Sequence, residues 1–357
     1  MKIVTVVGAR PQFIKAAAVS RIIRRHNDVK EVLVHTGQHF DDNMSKIFFE
    51  ELEISAADYN LGINSLNHGA MTGRMLEAVE DVLLKEKPDW VLVYGDTNST
   101  IAGALAAKKI HLRVAHVEAG MRSFTMKMPE EINRVLTDRI SDLLFCSTDE
   151  AVENLKREGF KEFDCRIIRS GDVMFDAALY YAEKAQKVSS IMKKIPFTEF
   201  VLCTLHREEN VNDKDTFRKI LNTLSIVHRE IPVVMPLHPR TQKAMEQLGN
   251  KIPLHFIKPV GYLDMLQLMQ HCRLVITDSG GLQKEAFFFS KFCITLREET
   301  EWVELVDLKV NRTVGASEKK ILKAFHSCSG KPMKTKAFPY GKGNASEKIV
   351  KELIAIG

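Results

Sequence analysis

The sequence lacks the patterns by which metal-binding chains are usually recognised. Its 6 cysteines include no C-x-x-C pair, and no paired histidine spacing such as H-E-x-x-H occurs. Several of the cysteines lie in apolar, strand-like runs, where a reduced thiol serves as a small hydrophobic side chain. We therefore expect reduced cysteines, no zinc cluster and no other metal site.

Long apolar runs and long runs of one charge are missing as well. No segment is long enough to span a bilayer, and the N-terminal MKIVTVVGARPQ has no cleavage-site pattern. The 51 basic and 46 acidic residues nearly balance, which leaves a net charge of +5. This balance argues against a nucleic-acid groove or a membrane-surface protein. We expect a cytoplasmic protein without nucleic-acid or membrane partners.

The sequence does contain short β-branched runs that alternate with helical patterns. The first half has KIVTVV, EVLVHT, WVLVYG, LRVAHVEAG, DLLFCST and CRIIRSG, and the second half has EFVLCTLH, IPVVMPLH, LHFIKPV, RLVITDSG and FCITL. Strand and helix repeated in this way predict a parallel sheet covered on both faces. Because 357 residues exceed what one core usually supports, we predict an α/β protein with two doubly wound parallel-sheet domains.

A charged, Ala-rich helical stretch after Gly171 offers few strand residues, so the hinge between the domains is expected there. The first domain is then predicted to span residues 1–171 and the second residues 172–344. The closing segment 345–357 has apolar residues at helical spacing, and Ser346 is a candidate cap. We expect this last helix to pack back on the first domain.

The segment TDSGGLQKEA directly follows the apolar run LVIT, which predicts a small-residue turn between a strand and a helix. Gly280 and Gly281 let backbone N–H groups approach an anion, and the helix dipole favours negative charge there. Ser279 adds a hydroxyl, and Glu285 is a candidate partner for ribose hydroxyls. The sequence contains neither G-x-G-x-x-G nor G-x-x-x-x-G-K-[ST], so dinucleotide and P-loop interpretations have no motif support.

After the first predicted strand, GARPQFIK places Pro11 at the expected first helical position, next to two cations. Arg10 and Lys15 oppose the dipole of that helix, so an anionic ligand such as a diphosphate would explain them. The alternative is that both are solvated surface charges.

Three carboxylates fall at or just beyond predicted strand ends, where catalytic residues of parallel sheets collect. They are Asp96, Glu118 and Glu131. Asp96 has the alternative role of capping the next helix, and either Glu130 or Glu131 is expected to be only a first-turn charge. Arg134 and Asp138 are interpreted as ordinary helix-face partners.

In the second half, LHREEN and LHPR each follow a strand, which places His206 and His238 at carboxyl ends. Arg207 and Arg240 are close in sequence and are candidates for binding phosphate. A histidine near a phosphate ester oxygen can act as a general acid or as a charged hydrogen-bond donor. A purely structural role for either histidine stays open.

Seven motifs in order resemble one family, the non-hydrolysing UDP-N-acetylglucosamine 2-epimerases: GARPQFIK, YGDTNST, HVEAG, PEEINR, LHREEN, DSGGLQKEA and GKGNASEKI. The resemblance implies a GT-B fold, with two Rossmann-like domains and the active site in the cleft between them. It also implies a homodimer, a UDP-sugar substrate, no cofactor and a place in polysaccharide biosynthesis.

The implied reaction converts UDP-N-acetylglucosamine to UDP-N-acetylmannosamine, by elimination of UDP to a 2-acetamidoglucal and readdition. By this resemblance Asp96, Glu118 and Glu131 match the essential acids of the family, and His206 matches its essential histidine. The positions that match substrate or UDP contacts are Arg10, Lys15, His238, Ser279, Gly280, Gly281 and Glu285.

Departures from the family motifs affect two expectations. Gln38 and His39 match a regulatory site for a second substrate molecule, but SLNHGAMTGRM differs from the element that completes this site. The segments GMRSFTMKMPEE and ETEWVELVD look like relatives that epimerise UDP-2,3-diacetamido-2,3-dideoxyglucuronate, which is the alternative substrate. The cations Arg122, Lys127 and Arg297 are candidates for its sugar carboxylate, or else solvated surface charges.

Three other functions share parts of this sequence pattern. A GT-B glycosyltransferase has the same fold and UDP site but needs an acceptor, and a nucleotide-sugar sensor binds without turnover. A hydrolysing epimerase lets water rather than UDP capture the glycal. Clustered acids favour epimerisation, and substitution of Asp96 or Glu118 separates an enzyme from a sensor.

Overall fold

The computed structural model describes residues 1–38, 56–248 and 252–356. These divide into two compact units, Met1–Leu179 with Phe338–Gly357, and Tyr180–Ala337. The boundaries differ from the expected ones because the helix Val173–Val188 begins within the first unit. Its Asp176 carboxylate accepts hydrogen bonds from the backbone N–H groups of Ala345 and Ser346, which start the C-terminal helix. Ser346 therefore lies inside that helix, and Asp176 takes the capping role that was expected of Ser346.

The first unit is built on a seven-stranded parallel sheet with the strand order β3-β2-β1-β4-β5-β6-β7. Its strands are Lys2–Val7 (β1), Lys30–His35 (β2), Tyr59–Asn60 (β3), Trp90–Tyr94 (β4), Arg113–Ala119 (β5), Leu143–Cys146 (β6) and Arg166–Arg169 (β7). Its helices are Arg10–Ile23 (α1), His68–Glu86 (α2), Asn98–Lys109 (α3), Pro129–Ile140 (α4), Asp149–Arg157 (α5), the start of Val173–Val188 (α6), and the C-terminal Ala345–Ile356. A short 3₁₀ helix covers Phe160–Glu162.

The second unit has a six-stranded parallel sheet with the strand order β10-β9-β8-β11-β12-β13. Its strands are Val201–Thr204 (β8), Val233–Pro236 (β9), His255–Ile257 (β10), Leu274–Thr277 (β11), Cys293–Thr295 (β12) and Asn311–Thr313 (β13). Its helices are Glu208–Val211 (α7), Lys214–Glu230 (α8), Pro239–Leu248 (α9), Tyr262–His271 (α10), Gly280–Phe288 (α11), Val303–Asp307 (α12) and Glu318–Ser329 (α13), with a 3₁₀ helix at Ile191–Lys194. The C-terminal helix Ala345–Ile356 is α14.

Both sheets are parallel because their central strands are apolar on both faces and need helices on each side. In the first unit Val4 and Val6 of β1 are fully buried and pack in one cluster with Val79 and Leu83 of α2. In the second unit Ile276 packs with Phe325 in the corresponding cluster. The predicted fold class, two doubly wound parallel sheets, is confirmed.

The strand orders also explain where functional residues can lie. In each sheet the chain reverses its direction of strand addition beside the first strand, between β1 and β4 and between β8 and β11. The turns at the carboxyl ends of such strand pairs form a crevice where ligands of open α/β sheets bind.

All six cysteines are free, and only Cys165 is not fully buried. Burial raises the pKa values of the Cys272 and Cys293 thiols to about 12, so these groups stay protonated. In the part of the chain that the structure describes, no helix combines the length and the apolar composition needed to cross a membrane.

Candidate active site

Most predicted site residues of the first unit lie at the carboxyl ends of β1, β4 and β5 or in the helices that follow these strands. After β1, helix α1 begins at Arg10, so Pro11 is its second residue rather than its first. The first turn of α1 contains no acidic residue, and Arg10 is exposed. No acidic side chain in the first turn of α1 therefore offsets the positive end of the helix dipole.

Gln12 organises this turn, although its position in GARPQFIK gave no chemical signal. Its Oε1 accepts hydrogen bonds from the N–H groups of Gly8 (2.8 Å) and Ala9 (3.0 Å). Its Nε2 donates to the carbonyl oxygen of Tyr94 (2.7 Å) and to Thr100 Oγ1 (2.9 Å). The buried amide thus ties the turn after β1 to the turn after β4.

Lys15 forms an ion pair with Glu118, with side chains only 11% and 14% exposed. Lys15 was predicted to bind a ligand anion, and here it neutralises a predicted catalytic acid. Glu118 has φ of +74°, a conformation that L residues rarely adopt, and the pairing of β5 with β6 shifts register between Val117 and Ala119. Such strain and such bulges collect at functional sites, where they aim a side chain.

Arg134 brings the three predicted acids together. It forms ion pairs with Asp96 and, at 2.8 Å, with Glu131. Burial alone would lower the pKa of Arg134, but the charges of Asp96, Glu131 and Glu118 raise it. Arg134 thus makes the helix-face pair that was expected of it, with Glu131 three residues before it, and also pairs with Asp96 outside the helix.

Asp96 does not cap the helix that follows it, which was its alternative role. The cap of α3 is Thr97, whose side chain accepts a hydrogen bond from the N–H of Thr100. The Asp96 side chain remains 33% exposed and pairs with Arg134. It is thus an ionised carboxylate with one side open to solvent.

Glu131 is the most enclosed of the three acids, with a side chain 2% exposed. It accepts hydrogen bonds from the N–H and Oγ of Ser123, each at 2.9 Å, and from the N–H of Phe124 at 3.0 Å. Burial alone would raise the pKa of Glu131, but the bonds from Ser123, the Arg134 charge and the Phe124 bond lower it. Glu131 therefore holds the loop before α4 as an ionised anchor.

A fully buried group of charges lies behind these turns, and the sequence did not indicate it. His116 Nδ1 lies 2.7 Å from Asp138 Oδ1, and Asp138 Oδ2 accepts from Arg122 Nη1, also at 2.7 Å. Arg122 in turn donates to both oxygens of Glu158. Asp138 is therefore a core ion-pair residue rather than a helix-face partner, and Arg122 is committed within the protein rather than available to a sugar carboxylate.

Of the possible regulatory pair, only Gln38 is described. Its Oε1 accepts hydrogen bonds from the N–H and Oγ of Ser99, at 3.1 and 2.8 Å, at the start of α3. His39 lies outside the described residues. The departure in this region includes His68, whose Nδ1 is 3.2 Å from Asn98 Nδ2.

In the second unit, Asp278 joins the turns after β8 and β11. The buried carboxylate accepts hydrogen bonds from the backbone N–H groups of His206 (3.0 Å) and Arg207 (2.9 Å) and from Asn210 Nδ2 (3.2 Å). His206 Nδ1 also lies 3.3 Å from its Oδ1. The aspartate of the TDSGG motif, which sequence reasoning passed over, thus fixes the predicted histidine.

His238 lies beside His206, with ring centroids 5.4 Å apart. Burial, together with the charges of His206 and Arg240, lowers the pKa of His238. Arg240 donates to the carbonyl oxygen of His206 at 3.1 Å and pairs with Glu208. The structure therefore brings both predicted histidines and Arg240 into one group.

Helix α11 begins after its cap residue Ser279, and its first turn contains no acidic residue. A Cβ on Gly281 would meet no atom within 4 Å, so the approach to this turn is open. Gly280 is fixed by Trp302, whose Nε1 donates to the Gly280 carbonyl oxygen at 2.8 Å. Glu285 is buried in the next turn. No side chain caps the start of α11, and Asp278, which precedes the cap residue, accepts a hydrogen bond from the N–H of His206, so this turn suits a phosphate group.

Across residues 1–38, 56–248 and 252–356, no three His, Cys, Asp or Glu side chains are arranged to hold a metal ion. The donor set points to other chemistry. The first unit offers carboxylates kept ionised by Lys15 and Arg134, which can accept a proton or stabilise positive charge. The second unit offers N–H donors and imidazoles, which can hold an anion.

Comparison with known proteins identifies the family of this chain. The sequence profile of the UDP-N-acetylglucosamine 2-epimerase family matches residues 21–354. The UDP-2,3-diacetamido-2,3-dideoxy-D-glucuronate 2-epimerase of Pseudomonas aeruginosa is 52% identical over 354 residues, covering 99% of each chain. The UDP-N-acetylglucosamine 2-epimerase of Methanococcus maripaludis is 44% identical over 364 residues, covering 98% of this chain and 97% of the relative.

A solved structure extends the likeness to three dimensions. The Methanocaldococcus jannaschii UDP-GlcNAc 2-epimerase, crystallised with UDP-GlcNAc and UDP, matches with a TM-score of 0.86 and 41% identity, covering 99% of this chain and 100% of that one. The match runs through both sheets, and the sequence motifs had predicted the same family. The family profile over residues 21–354 and these relatives, each matched over nearly the whole chain, show that this chain is an isomerase of the UDP-N-acetylglucosamine 2-epimerase family.

Proposed function

We propose that this chain inverts C2 of a UDP-linked 2-acetamido sugar, and that the sugar is 2,3-diacetamido-2,3-dideoxyglucuronate. The observation that carries the choice of sugar is the 52% identity, over 99% of both chains, to the P. aeruginosa enzyme named for that substrate. The M. maripaludis enzyme named for UDP-N-acetylglucosamine is 44% identical. This difference reverses the order of the two substrates expected from the motifs.

The chemistry assigned to the first unit is proton transfer at C2. The bond between C1 and the diphosphate oxygen breaks, its electron pair leaves with UDP, and positive charge develops at C1 and the ring oxygen. A carboxylate takes the C2 proton, so that a C1–C2 double bond forms. A proton then returns to C2 on the opposite face, and the diphosphate oxygen attacks C1. Asp96 and Glu118 suit these steps because each is ionised and incompletely buried.

Glu131 was predicted as a third catalytic acid, but its hydrogen bonds support a structural role. Its carboxylate already accepts hydrogen bonds from Ser123, Phe124 and Arg134. We assign it to holding Arg134 between the other two acids. Lys15 keeps Glu118 ionised until the proton moves.

The chemistry assigned to the second unit is binding and release of UDP. Ser279, Gly280 and Gly281 present the start of α11 to the diphosphate, with His206, His238 and Arg240 as additional donors. Asp278 accepts from the backbone N–H of His206 and lies 3.3 Å from its Nδ1, which orients the ring for a hydrogen bond to the leaving oxygen. Arg10 and Glu285 keep their predicted roles as contacts to the diphosphate and the ribose.

Of the cations suggested for a sugar carboxylate, two have partners within the chain. Arg122 is bound to Asp138 and Glu158, and Arg297 Nη1 donates to Glu301 at 2.8 Å. Lys127, on the exposed loop before α4, is the candidate that remains.

The test is incubation of the enzyme in D₂O with UDP-2,3-diacetamido-2,3-dideoxyglucuronate and, separately, with UDP-N-acetylglucosamine. We expect the uronate to exchange its C2 proton for deuterium and to yield the C2 epimer, and UDP-N-acetylglucosamine to react at least about tenfold more slowly, since a charged contact is worth 1.5–3 kcal/mol. Deuterium exchange with UDP-N-acetylglucosamine but not with the UDP-linked uronate would establish the second candidate. Absence of label in both would falsify elimination and readdition.

The second candidate, epimerisation of UDP-N-acetylglucosamine, is favoured by the structural match to the M. jannaschii enzyme over 99% of this chain. Lys127→Met separates the two candidates. With a uronate substrate this change is expected to raise KM without a matching fall in kcat, because it removes binding that ground state and transition state share. For UDP-N-acetylglucosamine, which has no carboxylate, the same variant should behave like the unmodified enzyme.

A further inference from the structure

His116 and Asp138 connect the two segments that carry Asp96 and Glu118, the partly buried acids of the first unit. His116 Nε2 lies 2.7 Å from the carbonyl oxygen of Gly95, which precedes Asp96. Asp138 Oδ2 accepts a hydrogen bond from the N–H of Gly120 at 3.0 Å, two residues after Glu118. Because His116 and Asp138 are themselves 2.7 Å apart, they form one continuous bridge behind both turns.

Both ring nitrogens of His116 face hydrogen-bond acceptors. The Gly95 carbonyl oxygen can only accept, and Asp138 is an ionised carboxylate that also accepts from Arg122 and Gly120. A neutral imidazole has one N–H group and would leave one of these contacts as two facing acceptors in a fully buried site. Two N–H groups on the His116 ring, one facing Gly95 and one facing Asp138, would satisfy both contacts.

The bridged turns are ones that need outside support. Gly95, Glu118 and Gly120 all have positive φ, of +64°, +74° and +76°. A Cβ on Gly95 would lie 3.3 Å from both Glu118 Oε2 and Lys15 Nζ, so the Gly95 backbone lies directly against the ion pair. Strained backbone persists only where the surroundings hold it. The bridge supplies two of the holding contacts, beside the hydrogen bonds from Asn154 Nδ2 to the Gly120 carbonyl oxygen and from the Gly95 N–H to the Val117 carbonyl oxygen.

We propose that His116 and Asp138 are positioning residues of the epimerase site, which set the spacing between Asp96 and Glu118 by fixing the Gly95 carbonyl and the Gly120 amide. This inference rests on the proposed function in that it assigns C2 chemistry to these acids. The inference goes beyond the proposed function because it assigns control of the geometry of Asp96 and Glu118 to two residues that touch no substrate. Loss of the bridge lowers the rate of C2 exchange and leaves UDP affinity unchanged.

Conservative variants divide the bridge into its parts. His116→Gln retains an amide near the Nε2 position and loses the partner of Asp138, whereas His116→Asn retains one near Nδ1 and loses the Gly95 contact. Asp138→Asn keeps the shape and removes the charge. Each is expected to lower kcat for C2 deuterium exchange by about 10- to 100-fold, the scale of misplacing a catalytic group by up to an ångström. The Kd for UDP, measured by calorimetry, is expected to stay within about twofold.

The matched control is Glu158→Gln. It removes the outer partner of Arg122, with a side chain 31% exposed, and touches neither turn. Its kcat is expected to stay within about twofold of the unmodified enzyme. A control that loses as much activity as the bridge variants would overturn the proposal, because any disturbance of the buried charges would then have the same effect.

A spectroscopic measurement tests the bridge without activity. In the full-length enzyme with ¹⁵N-labelled histidine, the His116 ring, assigned by its loss in His116→Gln, is expected to show two protonated nitrogens at pH 7. A single protonated nitrogen contradicts the bridge, as do bridge variants that keep full kcat. Failure of the unmodified enzyme to exchange C2 of either sugar refutes the proposed function instead, and leaves the state of the ring as a separate result.

Discussion

The turns of the first unit and those of the second lie at the same position in their sheets but contain different chemical groups. Beside β1 and β4 the chain places charged side chains in pairs, Lys15 with Glu118 and Arg134 with Asp96 and Glu131. Beside β8 and β11 it places backbone N–H groups around one buried carboxylate, Asp278, and an open helix start.

Under the proposed function, this difference separates two chemical tasks between the units. Proton transfer needs carboxylates that are ionised and rigidly aimed, and neighbouring cations supply both properties. Binding a diphosphate needs donors fixed in place before the ligand arrives, and backbone N–H groups lose little freedom when they do this. Changes in the first unit should therefore affect turnover, and changes in the second should affect UDP affinity.

The largest expected effect is that of Glu118→Gln. The variant removes the acid that Lys15 neutralises, and the rate of C2 exchange is expected to fall by about 100-fold or more, as for loss of a general base. The Kd for UDP should not rise, since the freed Lys15 only adds positive charge. Deuterium incorporation and titration calorimetry give the two quantities.

Glu130→Gln is the matched control, because Glu130 is an exposed acid in the first turn of α4. It is expected to keep its activity within about twofold. A parallel loss of UDP affinity and turnover in Glu118→Gln would contradict the assignment of turnover to the first unit and UDP binding to the second.

The next effect is that of Asp278→Asn in the second unit. The new amide presents an N–H group to donors of His206, Arg207 and Asn210, at a cost of about 1–3 kcal/mol. UDP affinity is expected to fall by about tenfold, with a smaller change in kcat at saturating substrate. Asp215→Asn serves as control, because its side chain is 92% exposed. A fall in kcat at unchanged UDP affinity would place Asp278 with the acids of the first unit.

The sequence was sufficient to place these residues at strand ends. Apolar runs, Gly turns and helical patterns located Glu118 at the end of β5 and Ser279 after β11, because local periodicity and turn chemistry are properties of neighbouring residues. It was insufficient for the pairings. Lys15 and Glu118 are 103 positions apart, and Asp278 and His206 are 72 apart, so only the folded sheet order brings them together.

The same limit explains the wrong assignments. Asp96 and Thr97 are both good capping residues, and the choice between them depends on Arg134, 38 positions away. Arg122 has the charge that a sugar carboxylate needs, but the Glu158 and Asp138 side chains already use it. Gln12 and His116 gave no signal at all, because a buried hydrogen-bonding role leaves no local pattern.

A smaller effect is expected from Trp302→Phe, which removes the indole N–H that holds the Gly280 carbonyl oxygen. One hydrogen bond contributes about 1 kcal/mol, so UDP affinity should fall about three- to tenfold while C2 exchange at saturation is nearly unchanged. Trp90→Phe is the control, since Trp90 Nε1 has no hydrogen-bond partner in the described part of the chain. Equal losses of UDP affinity in both variants would show a general effect of replacing a buried indole, and would remove the assigned role of the Trp302 N–H.

The smallest expected effect is the pH dependence of the loop that Glu131 holds, and it tests the role of Glu131 as an anchor. The folded protein lowers the pKa of Glu131 below its ordinary 4.5, so its ionised form stabilises the loop at higher pH and this contribution disappears as pH falls through the lowered value. Hydrogen-exchange protection of the Ser123 and Phe124 amides should therefore be several-fold weaker in Glu131→Gln than in the unmodified protein at pH 7. Below pH 4.5 the difference in protection between the two proteins should become smaller. Protonated Glu131 is neutral, as the substituted glutamine is at every pH. A difference that stays constant from pH 7 to pH 3 would mean that shape, and not charge, holds this loop.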